Sequence, residues 1–166
     1  MHPGTVSEQN SSSTPATPEV PSLAVQLFGT EKPWFAQGLR FQCTQCGNCC
    51  TGEPGYVWVN RQELEAIAQY LGEPLEEVQR YYTRKVGIRR SLIEFPDGDC
   101  VFFDSQRRKC TIYPVRPRQC RSWPFWVSNL RREEDWQRTC QQCPGCGQGE
   151  LVPLEEILQQ AAKIRV

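Results

Sequence analysis

The sequence predicts an α+β domain of modest size, and three observations predict it. Apolar residues recur at helical spacing in 61–71, 75–82 and 154–161. Between Lys85 and Tyr113 the pattern changes to short β-prone runs separated by polar turns. Two glycine-bearing loops, 43–50 and 140–147, are crowded with cysteine and fit neither period.

Taken in order, residues 1–22 (MHPGTVSEQNSSSTPATPEVPS) are rich in Ser, Thr and Pro and nearly devoid of large apolar side chains. Such a segment buries too little surface to offset its ordering entropy and is expected to be a disordered tail, followed by a single domain over 23–166. It lacks the basic start and apolar run of a secretory signal, and no stretch approaches the length of a membrane span, so the expected location is cytoplasmic. QLFGTEKPWFAQGLRFQ contributes an edge strand ahead of the first cysteine loop, and Tyr56–Val59 (YVWV) is a second short strand. Asn60 has the character of a helix N-cap, with Glu63 completing a capping box. Leu64, Ile67, Ala68 and Leu71 then form one stripe that Gly72 ends. Pro74 opens another helix, with Leu75, Val78 and Tyr82 on its apolar face. Both helices are expected to pack the core.

From Lys85 the runs VGIRRSLIEF, CVFF and CTIY, separated by PDGD and DSQRRK, predict a short three-stranded antiparallel meander. RPRQCRSWPFW predicts one or two helical turns stopped by Pro124. The charged stretch RREEDW leads into CQQCPGCGQG. A last helix, PLEEILQQAAKI, docks through Leu154, Ile157, Leu158 and Ala161.

Nineteen basic residues balance nineteen acidic ones, so no global field draws in nucleic acid or a membrane surface, and neither is expected as a partner. The ten cysteines are the anomaly. In a reducing compartment disulfides are rare, and clustered thiols point to metal or redox chemistry. The only histidine, His2, lies in the tail, so any site must be built from thiolates. The domain is therefore expected to be metal-stabilised. Cys43, Cys46 and Cys49 form C-x2-C-x2-C, a spacing that lets a chain wrap a metal, and Gly47 can supply the positive φ of such a turn. Cys140, Cys143 and Cys146 repeat the spacing. The opening run of bacterial ferredoxins is similar, but here the fourth cysteine follows at once, at Cys50, so that match is partial. Side chains of adjacent residues diverge; Cys49 and Cys50 thus suit two sites, or two atoms of one cluster, better than one ion.

Cys100 and Cys110 flank a proposed hairpin. With the turn centred on Ser105 they would face each other with Cβ atoms ~5 Å apart. Two thiolates on one zinc hold their sulfurs roughly 3.8 Å apart, so the pair could share an ion; a disulfide would also fit, and the compartment argues for metal. Between Arg84 and Arg121 ten basic residues face four acidic ones. That local excess would offset the roughly −2 charge of an all-thiolate zinc site and lower thiol pKa values, the alternative being a solvated basic face or an RNA-contact patch.

The blocks CTQCGNCCTG, DGDCVFFD, KCTIYPVRPRQCRSWPF and CPGCGQG, in that order over about residues 41–149, resemble the signature of a zinc- or iron-chelating cysteine-cluster family, the CxxCxxCC or YkgJ-type proteins. The resemblance implies eight metal-ligating thiols: Cys43, Cys46, Cys49, Cys50, Cys100, Cys110, Cys120 and Cys143. Cys140 and Cys146 are then extras that embellish the site or complete another. The implied cofactor is zinc or iron, the iron as an ion or an iron–sulfur cluster. Some relatives resemble the amino-terminal part of flagellin lysine N-methylases. No glycine-rich nucleotide loop for S-adenosylmethionine is present here, so methylation by this chain alone is not expected.

Three functions follow: a metal-binding protein with zinc, iron or an iron–sulfur cluster; an iron–sulfur oxidoreductase or accessory subunit of a protein lysine methylase, with a cleft lined by Cys120, Arg121, Trp123 and Phe125; or a metal chaperone or interaction module. A simpler role for Trp123, Phe125 and Trp126 is aromatic cover that keeps water from the sulfurs.

Overall fold

A computed structural model describes residues 20–164. Most of the expected tail, residues 1–19, lies outside the described residues. Helix α1, Val20–Phe28, begins three residues before the boundary that composition suggests. A loop held by the Trp34 indole, which donates to the Leu130 carbonyl at 2.9 Å, leads to strand β1, Leu39–Phe41. The first cysteine loop follows, and then strand β2, Trp58–Val59.

Helix α2, Arg61–Leu71, starts as the sequence dictates. The Asn60 side chain accepts from the Glu63 amide at 2.8 Å, and the Glu63 carboxylate accepts from the Asn60 amide at 2.8 Å. Two otherwise orphaned donors are thereby satisfied. Gly72, at φ 70°, closes the helix in the left-handed region. Helix α3, Leu75–Tyr81, is capped by Pro74 and buries Val78.

The strands depart from the expected meander. Strands β3, Thr83–Val86, and β4, Arg89–Leu92, form a hairpin that begins before the run read as one strand and breaks it near its start, because Gly87 takes φ 59° and turns the chain. The third member is β2, giving an antiparallel order β2-β4-β3. Strands β5, Phe103–Asp104, and β6, Lys109–Cys110, form a separate two-stranded ladder.

Its register also corrects the expected Cys100–Cys110 pairing. Phe103 faces Cys110, and Cys100 instead bridges Glu94. The turn lies further along than Ser105: Asp104 accepts from the Arg107 amide at 2.9 Å, and Arg108 reverses the chain at φ 50°.

Helix α4, Arg118–Ser122, is the short helix stopped before Pro124, and α5, Val127–Leu130, follows it. The charged stretch expected to be a connection is instead helix α6, Glu133–Gln142, which places Glu133, Glu134 and Asp135 at its positive end and Cys140 in its last turn. Strand β7, Cys146–Val152, pairs antiparallel with β1, and α7, Leu154–Ala162, ends the described chain.

The architecture is α+β, with small antiparallel sheets and two apolar clusters. One joins α2, α3 and the sheet through Leu64, Ile67, Val78 and Leu92. The other joins α1, α6 and α7 through Ala24, Trp136, Ile157 and Leu158. Each large aliphatic side chain so buried contributes roughly 1.5–3 kcal/mol relative to exposure. Among the described residues no helix is long and apolar enough to cross a membrane.

Candidate metal centre

The first cysteine loop is shaped by one glycine and sewn to four neighbours. Gly47, at φ 77°, turns into a short 3-10 segment, Asn48–Cys50, where the Cys50 amide donates to the Gly47 carbonyl at 2.9 Å. A Cβ on Gly47 would overlap the Phe103 ring, so glycine is required by space as well as by φ. The Cys50 carbonyl accepts from the Cys100 amide at 2.8 Å. Gln42 donates its amide to the Gly145 carbonyl at 3.0 Å. Asn48 links two further elements: its amide nitrogen donates to the Gln142 carbonyl at 2.9 Å, and its oxygen accepts from Arg108 at 2.8 Å.

Cys120 is placed by its neighbour. Gln119 is 2% exposed; its side chain accepts from the Trp58 amide at 2.9 Å and donates to the Tyr56 carbonyl at 2.7 Å. The Glu63 carboxylate, already used in the capping box, also accepts from the Arg118 amide at 2.8 Å at the start of α4. The α2 N-terminus, β2 and α4 are thereby held as one frame behind Cys120.

These constraints enclose a cavity of about 290 Å³ lined by Cys43, Cys46, Cys49, Cys50, Cys100, Cys110, Cys120 and Cys143. All eight thiols named from the family blocks line it, although four stretches of sequence supply them. Cys140 and Cys146 lie off this wall. Trp123 and Trp126 line it with Phe41 and Phe102, whereas Phe125, grouped in sequence with a candidate cleft, stacks on Trp136 in the second core cluster. Arg121 lines the wall as expected.

Two wall residues were not singled out by sequence, Tyr113 and the adjacent Arg116. The Arg116 guanidinium stacks over the Tyr113 ring at 3.8 Å and donates to the Tyr113 carbonyl at 2.8 Å. Its place in the basic run was the one visible signal.

The thiols are electrostatically unequal. The Cys50 thiol is hydrogen-bonded to Cys110 and Cys49; these bonds, with burial, push it far up, and they lower both partners to about 7. The Arg116 charge also favours the Cys49 and Cys110 thiolates. Burial pushes Cys100 up to about 11 and Cys120 well above the ordinary thiol range. A hydrogen bond to Cys43 pushes the Tyr113 hydroxyl up. The pattern is a network in which Cys49 and Cys110 are poised to ionise near neutrality and the deeper thiols are held protonated.

As the side chains stand among the described residues, no group of three or more His, Cys, Asp or Glu is drawn closely enough to hold an ion. The donor chemistry nonetheless suits a thiophilic metal: sulfur ligands only, aromatic walls, and a cation beside them. The cavity exceeds the volume of a single ion.

The family model CxxCxxCC, described as "Putative zinc- or iron-chelating domain", matches residues 42–150, more than half of the chain. An uncharacterized protein of Methanocaldococcus jannaschii is 34% identical over 93 residues, which cover 56% of this chain and 49% of that protein. The chain thus spans about half the length of that relative. No solved structure matches it.

Proposed function

Because this chain belongs to the CxxCxxCC family of zinc- or iron-chelating domains, we propose that it is a metalloprotein whose cavity thiolates hold zinc or iron. The ligands would be drawn from Cys43, Cys46, Cys49, Cys50, Cys100, Cys110, Cys120 and Cys143. The observation that carries this reading is their convergence on one cavity wall from four separate stretches. When bound, zinc would supply a structural crosslink, and an iron–sulfur cluster would supply one-electron redox capacity. The chain's own part is to offer thiolates, to balance them with Arg116, and to keep water away with Trp123 and Trp126.

Elemental analysis and an absorption spectrum of anaerobically purified protein test the reading. Colourless protein containing zinc assigns the structural role, and brown protein with sulfur-to-iron absorption assigns the cluster. Protein free of both metals that stays folded and takes up neither on addition overturns it.

A second reading, metal transfer to a partner, is favoured by one observation: Cys43 and Cys49 are exposed on the loop side of the cavity. An incoming donor could reach these two sulfurs first and replace them in turn. Zinc that passes to a competing chelator within seconds supports transfer; zinc retained for hours excludes it.

A further inference from the structure

Eight of the ten thiols fall into two electrostatic groups. Cys49, Cys50, Cys100, Cys110 and Cys120 perturb one another. The thiols that act on Cys140 and Cys146 are instead members of their own trio, Cys140, Cys143 and Cys146. The division follows the packing: Cys100 and Cys110 border the cluster of α2 and α3, whereas Cys143 and Cys146 are buried within the cluster of α6 and α7, with Cys140 packed against it.

The trio is also a defined piece of backbone. Cys140 occupies the last turn of α6. Cys143 caps that helix, its amide donating to the Thr139 carbonyl at 2.9 Å, and Cys146 opens β7, its amide donating to the Cys143 carbonyl at 3.0 Å. Gly147 follows at φ 76°, matching Gly47 at φ 77° after Cys46. Gly145 is held against β1's end, since a Cβ there would overlap the Gln42 carbonyl. The Cys146 thiol is hydrogen-bonded to those of Cys140 and Cys143, with Cys143 8% and Cys146 9% exposed. A pair of two-residue spacers ending on a left-handed glycine is a metal-wrapping turn.

We propose that Cys140, Cys143 and Cys146 form a second thiolate site, separable from the cavity, that takes a thiophilic d10 cation such as zinc. Three protein sulfurs leave the fourth tetrahedral position to water or to a partner's donor. Cys143 lies on the wall between the two sites, which makes it the sulfur that either can claim. The sulfurs are neighbours but not yet closed around a point, so the ion draws them in, and each ligating thiol releases its proton to solvent. The inference rests on the metal-binding reading above and extends it to two centres.

The test counts zinc per full-length chain after stripping and anaerobic reconstitution with zinc alone. Cys140→Ser/Cys146→Ser should lose one equivalent and keep the remainder, and Cys50→Ser/Cys110→Ser should lose from the remainder and keep that one. Unchanged zinc in Cys140→Ser/Cys146→Ser overturns the second site only. Loss of all zinc from a folded Cys140→Ser/Cys146→Ser also overturns it, since the ten thiols would then serve one centre. Wild-type protein that binds no zinc overturns the second site, and wild-type protein that takes up neither zinc nor iron overturns both readings. Should the double variant misfold, alkylation of the wild type decides: zinc should slow labelling of Cys140, Cys143 and Cys146 about tenfold, and unchanged labelling overturns the proposal.

Discussion

At the scale of single residues, the cavity depends on groups that are not thiols. Gln119 joins both of its amide ends to the backbone of the Tyr56–Trp58 segment while Cys120 follows it in the chain. Gln119→Leu keeps the volume but leaves the Trp58 N–H and Tyr56 carbonyl without their partner. A buried group so orphaned costs about 1–3 kcal/mol, and denaturant unfolding should read that loss. Gly47→Ala is expected to be worse than an ordinary surface change, since it combines a left-handed φ with overlap on Phe103. Among the thiols, Cys46→Ser and Cys120→Ser should each lower bound metal and the thermal midpoint. Retained metal and unchanged stability in both variants would count decisively against the proposed ligands.

At the scale of elements, the Asn48 turn ties the end of α6 to the β5–β6 turn across the mouth of the cavity. Asn48→Ala removes two exposed hydrogen bonds, each worth only about 0.5–1.5 kcal/mol. Metal content should therefore hold while release to a chelator becomes several-fold faster; an unchanged release rate would show that this turn does not gate exit.

The same scale shows what sequence could reveal. The α2 boundaries were legible because Asn60, Glu63 and Gly72 act through contacts within a few residues. Helix α7 was legible from its apolar stripe, Ile157, Leu158 and Ala161. Helix α6 was not, because Trp136 and Thr139 are its only buried residues before the cysteines begin. The β3–β4 hairpin was hidden because its first strand, Thr83–Val86, is largely polar and Gly87 turns the chain at the start of the apolar run. The eight cavity thiols could be named through the family blocks. Their grouping could not, since it follows from which apolar cluster each loop packs on.

At the scale of the whole molecule, the cavity lies between two apolar clusters that are small on their own, and the proposed metal joins them. Binding free energy of a folded-state ligand adds directly to stability, so chelation should lower the thermal midpoint. The dependence on pH sharpens the test. Without metal, Cys100 is raised from 9.0 to about 11, so its contribution is complete below 9.0 and lost as pH climbs through about 11. Burial moves Cys120 in the same direction. Cys49 and Cys110, lowered to about 7, contribute fully above 9.0 and lose that contribution as pH falls through about 7. The metal-free chain should therefore be favoured near pH 9 by these groups and weakened on either side. The metal-loaded chain behaves differently, because every ligating thiol has surrendered its proton and binding competes with protonation. From about pH 6 to about pH 9 the metal-loaded protein should gain on the metal-free one, since Cys100 and Cys120 remain protonated there until metal displaces the proton. Thermal midpoints measured with and without saturating zinc across that range should diverge steadily. A constant separation would mean that binding releases no protons, and the buried thiols would then not be the ligands.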